Sequence, residues 1–66
     1  MQVQVNGELR ELSEDQTVLG LVEELGFSGR RIAVEVNMEI VPRSRHQSQR
    51  LNAGDKIEIV QAIGGG

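Results

Sequence analysis

The chain has 66 residues, 38% of them apolar, and carries a net charge of −3 with no cysteine. That length holds one small domain, which buries only about 60% of the surface its unfolded chain exposes. Disulfide stapling is excluded, and the acidic balance argues against a general nucleic-acid binder, which needs a basic surface to neutralise phosphates.

Met1, Val3 and Val5 alternate with Gln2 and Gln4, the period-two pattern of a half-buried strand. Asn6-Gly7 then supplies two residues that tolerate the positive φ of a type I′ turn, so Glu8 to Leu12 is expected to return antiparallel. A two-residue loop places Leu12 opposite Met1, but it also sets Arg10 opposite Val3 on the apolar face and turns Leu9 away. Two solutions stay open. A bulge shifts the return strand, or Arg10 lays its stem over the core edge and lifts its charge to water.

Ser13 to Gln16 is a polar loop in which Glu14 and Asp15 are placed to favour the positive end of a following helix. Thr17 is the expected N-cap. Val18, Leu21, Val22 and Leu25 fall at i, i+3, i+4 and i+7, one apolar helical stripe. Gly26 is expected to end the helix in the left-handed region. Gly20 inside it costs about 1 kcal/mol relative to Ala, which points to a packing reason.

Ile32, Val34 and Val36 alternate with Ala33 and Glu35, giving a central strand. Asn37 to Glu39 reads as a turn and Ile40-Val41 as a short strand that Pro42 stops or confines to an edge. Arg43 to Asn52 reads as a polar, basic connection, and Ala53-Gly54-Asp55 as a turn. Lys56 to Ile63 is the last expected strand, with Ile57 and Ile59 facing one side and Glu58 and Val60 the other. Gly64, Gly65 and Gly66 follow it.

Strand, strand, helix, then three strands, with one helical stripe and one sheet face to bury each other, make a two-layer α+β domain. By fold analogy the expected architecture is a β-grasp (ubiquitin-like) domain: a mixed four- to five-stranded sheet with one main helix on one face. Its first and last strands would lie adjacent and parallel at the sheet centre. The domain is expected over residues 1–62, with 63–66 as a flexible glycine tail.

A self-contained active site is not expected. There is no Cys, Tyr or Trp, and the serines Ser13, Ser28, Ser44 and Ser48 lie in loops without a glycine-framed nucleophile turn. Lys56 follows Asp55 rather than a glycine run, so no phosphate loop is present. His46 lies in a loop without a nearby Cys or second His, so no metal site is expected. The paired carboxylates Glu23 and Glu24, and Glu8 with Glu11, lack a cleft and read as solvated faces. Apolar runs are too short to cross a bilayer and no signal pattern opens the chain, so the expected location is cytoplasmic.

The C-terminus is the remaining candidate for a working group. Glycine removes side chains and frees the backbone, so Gly64, Gly65 and Gly66 suit entry into a narrow slot. Extended, they reach about 10 Å beyond Ile63 at roughly 3.3–3.6 Å per residue. A terminal carboxylate is ionised at neutral pH and a poor electrophile, so it reacts only after another enzyme converts it to an activated acyl species. The alternative is a glycine-rich terminus with no role.

Four segments carry a family resemblance: Val34-Glu35-Val36-Asn37, Glu39-Ile40-Val41-Pro42-Arg43, Ala53-Gly54-Asp55 and the final Ala62-Ile63-Gly64-Gly65-Gly66. Over essentially all 66 residues the chain resembles the ThiS family, sulfur carriers of bacterial thiamine biosynthesis. The resemblance implies a carrier rather than an enzyme, with no bound cofactor. A ThiF-like adenylyltransferase using ATP and Mg would activate the Gly66 carboxylate, and a sulfur donor would convert it to a thiocarboxylate. A ThiG-like thiazole synthase would then receive the sulfur. Gly64 and Gly65 would be the slender neck entering both partners; neither nucleic acid nor membrane is an expected partner.

Beside the tail, Val60, Ala62 and Ile63 are candidates for an apolar partner patch, against ordinary sheet packing. Arg43, Arg45, His46 and Arg50 are candidates for an acidic partner surface or nucleotide phosphates, against a solvated loop. Rival readings are a molybdopterin synthase small-subunit-like carrier, a ubiquitin-like modifier conjugated through Gly66, and an interaction module with an inert tail.

Overall fold

The computed structural model describes residues 1–61. Strands β1 (Gln2–Val5) and β2 (Glu8–Glu11), helix α1 (Val18–Glu24), and strands β3 (Ile32–Val36), β4 (Glu39–Val41) and β5 (Lys56–Gln61) follow in that order, with a 3-10 turn at Arg43–Arg45. The five strands form one mixed sheet ordered β2-β1-β5-β3-β4. β1 and β5 pair in parallel at its centre, and the other neighbours are antiparallel. This is the expected α+β, β-grasp arrangement.

The first hairpin keeps the two-residue register, with Val3 opposite Arg10 and Gln4 opposite Leu9, so no bulge intervenes. Arg10 leaves the apolar face sideways: its Nη1 stands 3.7 Å from Glu24 Oε2 near the end of α1. Both groups are about half exposed, so this pair contributes little, about 0–1 kcal/mol. Leu9 points to solvent.

Helix α1 buries Val18, Leu21 and Val22 against the sheet, where Val3, Val34 and Ile57 lie beneath them. Thr17 caps it as expected, its Oγ1 accepting from Gly20 N at 3.1 Å. Gly26 adopts φ +82° just beyond its end. A Cβ at Gly20 would stand 3.2 Å from Gln16 Nε2 and 3.4 Å from Thr17 Oγ1, so the glycine leaves room for the side chains at the cap.

Of the two acidic residues before the helix, Glu14 has a partner elsewhere. The first turn of α1 holds no acidic residue. Its free N–H groups are instead met by the 46–51 loop: Val18 N donates to Gln49 O and Leu19 N to His46 O, at 2.9 and 2.8 Å. Glu14 turns away to the Met1 ammonium, 3.3 Å distant. The connection from Arg43 to Asn52 is thus not merely a polar loop. Leu51 in it is a core residue, 2% exposed, and its N–H donates to Gln16 O at 2.9 Å.

His46, expected in an open loop, is also buried. Its Nε2 lies 3.0 Å from Val41 O, and because a carbonyl only accepts, that nitrogen carries the hydrogen. The turn between β3 and β4 is one residue shorter than expected: Asn37 and Met38 form it, both at positive φ, and Glu39 pairs with Val36.

Candidate functional site

Ala62, Ile63, Gly64, Gly65 and Gly66 lie outside the described residues, so the structure speaks to the strand that leads to them. β5 is the central strand, held by β1 on one side and by five residue pairs with β3 on the other. Its interior residues Ile57 and Ile59 are 1% and 4% exposed, which anchors the strand in the core. Two asparagine side chains fasten it further. Asn6 Oδ1 accepts from Ile59 N at 2.9 Å and Asn6 Nδ2 donates to Ile59 O, copying a ladder contact beyond the end of β1. Asn37 Oδ1 accepts from Lys56 N at 3.0 Å and Nδ2 donates to Asp55 Oδ1. The strand before the C-terminal segment is thus clamped at both hairpins.

Towards its end β5 turns more outward. Val60 is 58% exposed on the face opposite the helix, across from Ala33. Of the expected patch, Val60 is therefore placed as an exposed apolar side chain, and Ala62 and Ile63 fall beyond Gln61. Val60 and Gln61 line a shallow depression of about 340 Å³ with Arg31, Ile32, Ala33 and Arg43.

The four basic-loop candidates are dispersed rather than gathered. Arg43 reaches back to donate from Nη2 to Arg30 O at 3.0 Å, beside the end of β5. Arg45 borders a different depression, with Asn37, Glu39 and Asp55. His46 is interior, and Arg50 bridges to Thr17 next to the helix start. Arg30, which joins Arg43 here, carried no signal in the sequence beyond standing before a strand, because the contact spans thirteen positions.

The remaining carboxylates make no catalytic pair. Glu11 and Glu14 both meet the Met1 ammonium, at 2.8 and 3.3 Å. The hydrogen bond that the ammonium donates to the Glu11 carboxylate holds it above its ordinary value against the opposing effect of desolvation, with Glu14 adding to it. Among the described residues no three His, Cys, Asp or Glu side chains are grouped to hold a metal ion. No helix among them is long and apolar enough to cross a membrane.

The ThiS family model matches residues 3–66. The chain belongs to the ThiS family. Among its relatives, the sulfur carrier protein ThiS of Escherichia coli K12 is 33% identical over the full length of both chains. The crystal structure of the thiamine biosynthesis protein ThiS from Geobacter metallireducens superposes with a TM-score of 0.86 at 28% identity, each chain fully covered. A thiazole synthase of Paramagnetospirillum magneticum is 50% identical over all 66 residues of this ThiS-family chain, which spans 20% of that protein's length.

Proposed function

We propose that this chain is a cytoplasmic sulfur carrier of thiamine biosynthesis, a protein cosubstrate acted on by others. The observation that carries this reading is the ThiS-family match, which runs through Gly64-Gly65-Gly66. The name of the Escherichia coli relative supports it. A ThiF-like adenylyltransferase is the expected first partner. With ATP and Mg bound to that enzyme, a Gly66 carboxylate oxygen attacks the α-phosphorus and pyrophosphate leaves, giving an acyl-adenylate. Sulfur from a donor then displaces AMP and leaves a thiocarboxylate. Gly64 and Gly65 serve as the narrow neck, and Val60 with Ala62 and Ile63 as the apolar contact beside it. A ThiG-like thiazole synthase is the expected acceptor, a role supported by the 50% identity to a segment of a thiazole synthase.

Intact mass with fragment ions, on the 66-residue chain co-expressed with a bacterial adenylyltransferase, tests the reading. The expected result is a sulfur-for-oxygen exchange confined to Gly66. An unmodified carboxylate with ATP and enzyme present would overturn it, and reductant-resistant conjugates of higher mass would replace it with a modifier.

A further inference from the structure

The basic residues of this acidic chain are unevenly placed. Five of its seven Lys and Arg residues, Arg30, Arg31, Arg43, Arg45 and Arg50, lie between positions 30 and 50, where only Glu35 and Glu39 are acidic. That stretch carries 5 − 2 = +3, so the rest of the chain carries −6. Folding concentrates part of this charge at one place. The Arg43–Arg30 hydrogen bond ties the 3-10 turn to the segment before β3, and both side chains are exposed there.

Two adjoining depressions meet at that bond and share Ile32 and Arg43. One, of about 350 Å³, has Leu19, Val22 and Phe27 in its lining and Arg30 on its wall. The other, of about 340 Å³, is the one that holds Val60 and Gln61. Neither Arg30 nor Arg43 pairs with a carboxylate of the described residues, although the chain has ten acidic residues. Two cations that pair with no carboxylate among the described residues, around an apolar floor and beside the strand that leads to the C-terminal segment, are complementary to one kind of surface. It presents carboxylates around an apolar side chain.

We propose that Arg30 and Arg43 form a docking rim for an acidic lip on the protein that receives the C-terminal segment. The rim sets orientation before the segment enters. Opposite charges at the edge of an interface mainly raise the association rate and make it salt-dependent. A nucleic acid is disfavoured as the occupant, because the rest of the chain carries −6 and repels a polyanion. The proposal rests on the preceding function only for the identity of the receiving protein, taken as the adenylyltransferase.

Direct titration of the chain with a bacterial ThiF-like adenylyltransferase, without ATP, separates the two ideas. Affinity is read at about 50 mM and about 500 mM salt, concentrations that bracket strong screening of exposed charges. The expected result is about tenfold weaker binding at high salt. Arg30→Glu and Arg43→Gln each should weaken binding at low salt by about fivefold or more and flatten the salt dependence. Arg43→Gln retains a short amide donor towards Arg30 O, and Arg30→Glu leaves that carbonyl in place, so both variants should keep the wild-type circular dichroism. Lys56→Gln, a lost positive charge at the opposite end of β5, should change affinity less than twofold.

Wild-type affinity and salt slope in both arginine variants would overturn the proposal, as would a wild-type chain that does not bind the enzyme. An equal loss in Lys56→Gln would also overturn it, since the effect would then be one of net charge. Binding that depends on the rim without subsequent adenylation of Gly66 would support the rim and remove the carrier reading.

Discussion

The two β-hairpins solve the same problem with different residues. Both turn through two positive-φ positions that begin with asparagine: Asn6 with Gly7 at φ 49° and 85°, and Asn37 with Met38 at 52° and 71°. In each, the asparagine side chain reaches β5. The second positions differ in cost. Glycine meets no steric penalty at positive φ, whereas a side chain there is strained. Met38 has its side chain 91% exposed, so no burial offsets that strain. The outer hairpin ends differ too. The first is closed by reciprocal contacts, Leu12 N donating to Met1 O and the Met1 ammonium to Leu12 O, with two carboxylates around the ammonium. The second runs into Pro42 and the buried His46. The lesson is that asparagine acts here as a cross-strand fastener as much as a turn residue.

The largest expected effect comes from Asn37→Ala. It removes the donor to the buried Asp55 carboxylate and the acceptor for Lys56 N, and hydrogen bonds to charged groups are the stronger kind. We expect a loss of about 3 kcal/mol in denaturant unfolding, with the midpoint shifted and the slope unchanged. Asn6→Ala removes two hydrogen bonds to uncharged backbone groups and should cost about 2 kcal/mol by the same measurement. Equal losses at the two sites would show that the Asp55 carboxylate adds nothing.

Exchanging the second turn residues sharpens the comparison. Gly7→Ala should cost about 1 kcal/mol from its positive φ, although a Cβ there meets no atom within 4 Å. Met38→Gly should stabilise by about 0.5 kcal/mol, strain relief exceeding the added freedom of the unfolded chain. Destabilisation by Met38→Gly would mean that the methionine makes a contact of its own.

The smallest effect separates the hairpin ends by pH. The Met1 ammonium titrates higher in the folded chain than its ordinary 8.0. A group with a raised folded value contributes stability fully below its unfolded value and loses it as pH rises through the folded one. Stability should therefore fall slightly above pH 8 in thermal scans, and the Glu11→Gln variant should weaken that slope. An unchanged slope would show that the ammonium does not favour the folded chain.

Much of this architecture is legible in local sequence. The period-two runs around Val3, Val34 and Ile57, the Val18–Leu25 stripe, and Asn6-Gly7 each encode an element through contacts close along the chain. What escaped is non-local. Leu51 stands as one apolar residue among polar ones, so no period marks it, yet it fills the core beside the helix start. His46 is buried with its ring nitrogen on a carbonyl five residues earlier, and Glu14 pairs with the Met1 ammonium thirteen residues away. The Arg43–Arg30 contact is hidden for the same reason. At the candidate site, Val60 was readable from alternation, whereas the arginines beside it became a pair only once β3 and the 3-10 turn were brought together.

The parallel pairing of β1 with β5 has a consequence for how the molecule is made. β5 is the last of the five described strands in chain order and the middle strand of the sheet, so the strands made before it flank a gap. A ribosome-bound chain lacking β5 has no sheet centre and lacks Ile57 and Ile59, which complete the core around Val3, Val34 and Leu21, and contacts of such long sequence separation form late. Folding must then wait for translation to reach the strand that bears the C-terminal segment. A chain interrupted before that point lacks the centre of its sheet, which makes the topology itself a check that β5 has been made.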